Sequence, residues 1–130
     1  MPSIFTKIIK GEIPSYKIAE DDYCIAFLDA FPLKRGHVLI VPKQEVDYLF
    51  DLEDEVYIKL MDFSKTIATA LKKSIPCKRV GMTVIGLEVP HAHVHLIPIN
   101  STNDMNFANE KLKLSAEEFS HIALQIIENL

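Results

Sequence analysis

Residues His91-Ala92-His93-Val94-His95-Leu96-Ile97-Pro98 set an imidazole at every second position, with small or apolar side chains between, and use three of the chain's five histidines. A β-strand repeats its side-chain direction every two residues. The spacing therefore predicts a strand with His91, His93 and His95 on one face and Ala92, Val94 and Leu96 on the other. One face is chemical and the other belongs to a core.

The rest of the chain supplies the elements that would cover such a sheet. Apolar residues at 4, 5, 8 and 9 fit a short amphipathic helix ended by Gly11 and Pro14. Tyr16 to Glu20 and Tyr23 to Leu28 read as strands joined by a turn at Asp21-Asp22, and His37 to Pro42 as a nearly continuous apolar strand. From Asp51 to Ser74 the period changes. Leu52, Val56, Leu60, Phe63, Ile67 and Leu71 advance in steps of three or four, which predicts a long amphipathic helix with Asp51 as its N-cap and Pro76 beyond its end. Val80 to Ile85 returns to a strand, Val89 to Ile99 holds the histidine strand, and Ser101 to Asn109 is a polar loop. Ser115-Ala116-Glu117-Glu118 has the spacing of a capping box and opens a last helix with Phe119, Ile122, Ala123, Ile126 and Ile127 inward. Segregated strands and helices with hairpin-like links imply an α+β fold with a mainly antiparallel sheet.

At 130 residues the chain is expected to form one domain over 1–130. A net charge of −4 argues against a nucleic-acid polymer as partner, because that binding rests on Lys and Arg neutralising phosphates, yet it permits a small phosphate ligand. Met1 to Lys7 lacks the apolar stretch of a secretory signal. No window approaches the roughly 18 apolar residues of a membrane span, so a cytoplasmic protein without membrane partners is expected. Cys24 and Cys77 stand alone and suggest neither a zinc knuckle nor a disulfide framework.

Along a strand, alternate residues lie roughly 6–7 Å apart, and His91 and His95 about 13 Å apart. Three such side chains do not converge on one ion, whereas two with a remote third ligand could, so a metalloenzyme is one reading. A row of that length suits an elongated ligand such as a chain of phosphates. Imidazole, with an unperturbed pKa of about 6.5, is largely neutral near pH 7 and still nucleophilic. Attack by one ring nitrogen divides a displacement at phosphorus into two steps, while flanking donors offset charge on the phosphoryl oxygens.

His91-Ala92-His93-Val94-His95-Leu96-Ile97 resembles the His-φ-His-φ-His-φ-φ signature of the histidine triad (HIT) proteins, φ being hydrophobic. Ile4-Phe5-Thr6-Lys7-Ile8-Ile9 with Gly11-Glu12-Ile13-Pro14, Ala26-Phe27-Leu28-Asp29 with Pro32, and Gly36-His37-Val38-Leu39-Ile40-Val41-Pro42-Lys43 resemble the family's nucleotide-binding, Hint-like branch. The resemblance implies a five-stranded, mainly antiparallel sheet with flanking helices, joined across a homodimer. It implies hydrolysis or transfer at the α-phosphorus of purine nucleoside phosphoramidates, nucleotidyl anhydrides or dinucleoside polyphosphates, with no cofactor. His93 would be the nucleophile that forms a nucleotidyl-histidine, His91 and His95 would orient it and contact phosphate oxygens, and His37 would be the supporting fourth histidine. Asp29 would hold the ribose hydroxyls, and Ile4, Phe5, Ile8 and Phe27 would line the base pocket. Read on their own, Asp29 could simply shape its turn, His37 could begin a strand without a catalytic part, and the four apolar residues could be plain core.

The chain also departs from that pattern. Where many relatives carry Gly-Gln-Ser or Gly-Gln-Thr before the triad, it has Gly86-Leu87-Glu88. Leucine donates no hydrogen bond, and an ionised Glu88 would repel phosphate, so Glu88 either points away, or is protonated, or binds a different part of the substrate, such as the amine of a phosphoramidate. This change leaves open a purine nucleotide-binding protein with little turnover. The frequent Pro-Lys-x-His becomes Pro42-Lys43-Gln44-Glu45, and the zinc-binding cysteines of some relatives correspond to the segment Ser3-Ile4-Phe5-Thr6. No structural zinc is therefore expected.

Overall fold

The computed structural model describes residues Met1–Leu130. Its elements are α1 (Ile4–Ile9), β1 (Lys17–Glu20), β2 (Cys24–Leu28), β3 (Val38–Pro42), α2 (Asp54–Ser74), β4 (Arg79–Thr83), β5 (Val94–Ile99) and α3 (Ala116–Glu128). The five strands form one sheet in the order β1-β2-β3-β5-β4, and every neighbouring pair is antiparallel. The β1–β2 hairpin turns where expected, with Asp21 Oδ1 accepting the N–H groups of Tyr23 and Cys24, each at 2.8 Å.

The sheet's apolar side chains divide by face. Cys24, Ala26, Leu28, Val38, Ile40, Ala92, Val94 and Leu96 join the larger core with α2 and α3, whose Leu60, Ile67, Leu71, Phe119, Ile122 and Ile126 cover that face. Ile25, Phe27, Leu39 and Val41 point to the other face, where they pack with Phe5 of α1 in a smaller cluster. Alternation in the strand sequences therefore decides which residues reach the helical layer and which reach α1.

Local chemistry sets the helix ends. The α3 capping box is complete, with Ser115 Oγ accepting the Glu118 N–H and the Glu118 side chain accepting the Ser115 N–H. Ile127, expected inward, is 41% exposed, because the buried stripe of α3 ends at Ile126. The long helix also starts later than its periodicity suggests. Asp51 lies in a 3₁₀ turn over Leu49–Asp51, Leu52 is extended at φ −64°, ψ 143°, and Glu53 precedes the first turn of α2 without a side-chain cap. Leu52 is buried all the same, which is why it kept the helical rhythm. Before β3, Gly36 has φ +87°, and a Cβ there would meet the side chains of Ile75 and Leu71 at 3.0 and 3.1 Å. Both constraints favour glycine. No helix is long and apolar enough to cross a membrane.

Candidate active site

The histidine segment keeps the predicted division of faces but not the predicted strand. Ala92, Val94 and Leu96 are in the main core, while the His91 and His93 rings contact Phe5 on the opposite side. Strand β5, however, begins only at Val94, so of the three histidines it contains His95 alone. The ladder to β3 ends at the Ile40–Val94 pair. Further along, Pro42 has no N–H to give, and its carbonyl is taken by a side chain, Nε2 of His91, at 2.8 Å. The chain there is held by other bonds, from His91 N–H to Val89 O at 2.8 Å and from Ala92 N–H to Val46 O at 2.7 Å.

These bonds fix the tautomers of four histidines. A carbonyl only accepts, so His91 carries its hydrogen on Nε2 toward Pro42, and its Nδ1 accepts from Ser3 Oγ at 2.7 Å. His91 is fully buried and has both ring nitrogens committed to the protein, so the expected contact of its ring with phosphate is not available. It acts instead through its carbonyl, which accepts the Nδ1–H of His93 at 2.7 Å. In neutral His93 the lone pair is then on Nε2. His37 Nδ1 accepts the Leu33 N–H at 3.0 Å, so its Nε2 bears hydrogen and donates to His95 Nδ1, also at 3.0 Å. His95 is left with its hydrogen on Nε2. His93 and His95 lie side by side, with ring centroids 4.9 Å apart.

Nε2 of His93 and Nε2 of His95 have no protein partner, and neither is sealed from solvent, since the sole buried side-chain N or O atom without a partner is Ser64 Oγ. The site thus presents one imidazole lone pair beside one imidazole N–H. Such a pair can attack an electrophile and donate to an oxygen on it.

Burial sets the protonation states. Desolvation pushes His37 down to about 3 and His95 down to about 4, helped in both by the charge of neighbouring histidines. It also lowers His91, against the opposing pull of the Pro42 carbonyl and Glu45. Asp29 shifts the other way: burial raises its carboxyl, while the Phe31 N–H, His93 and Lys111 pull it down. Its Oδ1 accepts the Phe31 N–H at 2.9 Å, as a turn-shaping Asp would, and its Oδ2 lies 3.5 Å from His37 Nε2. With His37 neutral this is a loose polar contact, and acceptor capacity on Asp29 remains free.

Of the apolar candidates, Phe5 and Phe27 are buried edge to face, with centroids 5.7 Å apart, and Phe5 meets His93 at 4.9 Å. Ile8 packs against the same cluster, but Ile4 is 49% exposed on the outer side of α1. Glu88 is exposed, and its charge acts on Asp29. Phe107 did not stand out in the sequence. It packs edge-on to His95 at 4.8 Å and to His37 at 6.1 Å, and its carbonyl, with that of Asn109, holds the Lys111 ammonium. A lone aromatic in an otherwise polar loop was the available signal.

Two places bear on metal binding. Asp29, His37 and His95 have ligand atoms within 4.8 Å of one another. The Leu33 N–H on His37 Nδ1 makes His37 Nε2 a hydrogen carrier, so this trio does not offer three lone pairs. The segment Ser3–Thr6, with Glu45 and His91, offers two hydroxyls in place of thiolates, and these are bonded to His91 and to Glu45. That donor set does not fit a structural zinc.

Residues 10–102 match the family model described as HIT domain. The chain is 36% identical over 135 aligned positions to an uncharacterized HIT-like protein of Borreliella burgdorferi, covering 98% of this chain and 97% of that one. It is 43% identical over 96 positions to an adenosine 5'-monophosphoramidase of Saccharomyces cerevisiae, covering 73% of this chain and 61% of that protein. Among solved structures, a Hit-like protein of Bartonella henselae described as involved in cell-cycle regulation superposes with a TM-score of 0.85 at 29% identity, covering 98% and 96% of the two chains.

Proposed function

The chain belongs to the histidine triad family, and on that premise we propose that it is a nucleotide hydrolase acting at the α-phosphorus of purine nucleoside phosphoramidates or dinucleoside polyphosphates through His93. The observation that carries this reading is the bond from His93 Nδ1 to the His91 carbonyl, which leaves the Nε2 lone pair of His93 outward, beside the Nε2–H of His95. The yeast phosphoramidase supports the substrate class.

In the proposed reaction His93 Nε2 attacks the α-phosphorus. The bond to the leaving group breaks, its electron pair departs with that group, and an amine leaving group takes up a proton from solvent water. His95 Nε2–H donates to a phosphoryl oxygen as charge builds there. Water then attacks phosphorus and gives up a proton to solvent, and the P–Nε2 bond breaks with its electron pair returning to His93, which releases the nucleoside monophosphate and restores the imidazole. Asp29 accepts the ribose hydroxyls, Phe5, Phe27 and Ile8 line the base pocket, and Glu88 faces the leaving group. We assign the protein to the cytoplasm and to a homodimer joined along β4, an edge strand whose Met82 is 48% exposed. Sedimentation at micromolar concentration tests the dimer, and a monomer throughout would refute it.

The deciding experiment is hydrolysis of adenylyl-lysine phosphoramidate and of a diadenosine polyphosphate by the wild type and by His93→Ala, with mass spectrometry of an alkaline-quenched reaction. Turnover, a nucleotidyl adduct at His93 and loss of both in the variant are expected. Tight AMP binding without cleavage would favour a nucleotide-binding protein instead, and full activity of His93→Ala would overturn the mechanism.

A further inference from the structure

Ser3 caps α1, and its Oγ accepts the Thr6 N–H at 3.0 Å. That bond leaves the hydroxyl proton to be given elsewhere. Because His91 Nε2–H is committed to Pro42 O, His91 Nδ1 is a lone pair, and it lies 2.7 Å from Ser3 Oγ in a buried setting. The hydroxyl of Ser3 therefore donates to His91. One oxygen of Glu45, Oε1, accepts both the Ser3 N–H and the Thr6 hydroxyl, each at 2.6 Å, across 42 and 39 residues of chain.

Glu45 follows β3, which ends at Pro42, so the same strand end supplies the carbonyl for one His91 nitrogen and the tether for the group on the other. The His91 ring is thus bracketed between two fixed partners. Its carbonyl then holds His93 Nδ1–H at 2.7 Å, and Phe5, two residues after the cap, rests edge-on against the His93 ring. The Ser3, Thr6 and Glu45 cluster touches neither of the outward Nε2 atoms, yet it lies one hydrogen bond from the residue that orients the proposed nucleophile.

We propose that Ser3 and Glu45 are positioning residues: a hydrogen-bond chain from Glu45 through Ser3 to His91 locks the His91 ring and its carbonyl, and so aims Nε2 of His93 at phosphorus. The proposal rests on the reading of His93 as nucleophile. Its chemistry is specific about side chains. Position 3 needs a hydroxyl, because it must accept from Thr6 N–H and donate to His91 in the same geometry. Position 45 needs an acceptor oxygen but not a charge, because its partners are an N–H and an O–H.

The test compares the wild type with Ser3→Ala, Ser3→Thr, Glu45→Ala and Glu45→Gln by steady-state hydrolysis of adenylyl-lysine phosphoramidate. In parallel, nitrogen NMR of histidine-labelled protein without ligand reads the tautomers of His91 and His93. Ser3→Ala and Glu45→Ala are expected to lower kcat about tenfold with KM little changed, and to turn the single His93 Nδ1–H form into a mixture. Ser3→Thr and Glu45→Gln keep the needed donor or acceptor and should retain wild-type kcat and tautomers. If Ser3→Ala does not fold, Glu45→Ala, at an exposed position, carries the test alone. Wild-type kcat and tautomers in folded alanine variants would overturn the proposal, as would a rise in KM at constant kcat or failure of the conservative variants to rescue. If the wild type itself does not turn over, the functional reading fails, and the imidazole spectra still decide whether the chain of bonds sets the His93 tautomer.

Discussion

His37 donates its Nε2–H to Nδ1 of His95 across 3.0 Å, and this bond determines which nitrogen His95 turns outward. The direction is imposed from the backbone, since the Leu33 N–H occupies the other nitrogen of His37. Removing the outward donor with His95→Ala should lower kcat by on the order of 10²-fold. His37→Ala leaves the His95 ring in place without its tautomer partner, so a smaller loss, roughly tenfold, is expected with KM nearly constant. Steady-state kinetics on the three proteins check the order. An equal or greater loss in His37→Ala would show that His37 does more than orient its neighbour.

The buried histidines make stability depend on pH in a defined direction. Their folded pKa values are depressed from 6.5, to about 3 for His37 and about 4 for His95, first by desolvation. Below pH 6.5 the unfolded chain therefore binds protons that the folded chain refuses. Their contribution is complete above that pH and is lost as acidification proceeds toward the folded values. The carboxylates held low by hydrogen bonds, Glu45 among them at about 2, add to the loss only at lower pH. A melting temperature that declines already between pH 6.5 and 5, with the His37 and His95 ring signals not titrating there, is the expected pattern. A flat melting temperature across that interval would contradict it.

What the sequence made legible was what neighbouring residues decide. Period-two alternation found the face of Ala92, Val94 and Leu96, and the Ser115 to Glu118 spacing found the start of α3, because both are set within a few positions. The strand start at Val94 was hidden, since it depends on Pro42 and its carbonyl, 49 residues from the imidazole that takes it. The same holds for the link from Ser3 to His91, 88 residues apart, and for Phe107 against His95. Triad spacing announced three similar histidines. Their hydrogen bonds made them different: His91 is closed in, His93 presents a lone pair and His95 presents a hydrogen.

Ser64 Oγ is buried in α2 without a partner, although Thr66, Thr69 and Ser74 on the same helix each donate to the carbonyl four residues back. An unmade hydrogen bond of this kind costs about 1–3 kcal/mol, and alanine has nearly the same volume and a higher helix propensity. Ser64→Ala should therefore raise stability by about 1 kcal/mol, a few degrees in melting temperature, without changing kcat or KM. Destabilisation in urea melts would mean that the hydroxyl has a partner after all.

Glu88 takes a place where a hydrogen-bond donor to phosphate would be expected, and its exposed carboxylate acts on Asp29 through charge. Beside a leaving group, a carboxylate favours a cationic amine over an anionic phosphate. Both are solvated, so the effect should be modest: an exposed charge pair contributes roughly 0.2–1 kcal/mol and weakens with salt. Glu88→Gln should therefore lower kcat/KM for adenylyl-lysine phosphoramidate up to about fivefold. The diadenosine polyphosphate should be cleaved as well as before or better, and the difference between the two proteins should shrink in high salt. Both substrates compared in one buffer at two ionic strengths decide the matter. An unchanged ratio of the two kcat/KM values would remove Glu88 from substrate choice, and discrimination would then rest with the neighbouring Leu87 or with the loop that carries Phe107 and Lys111.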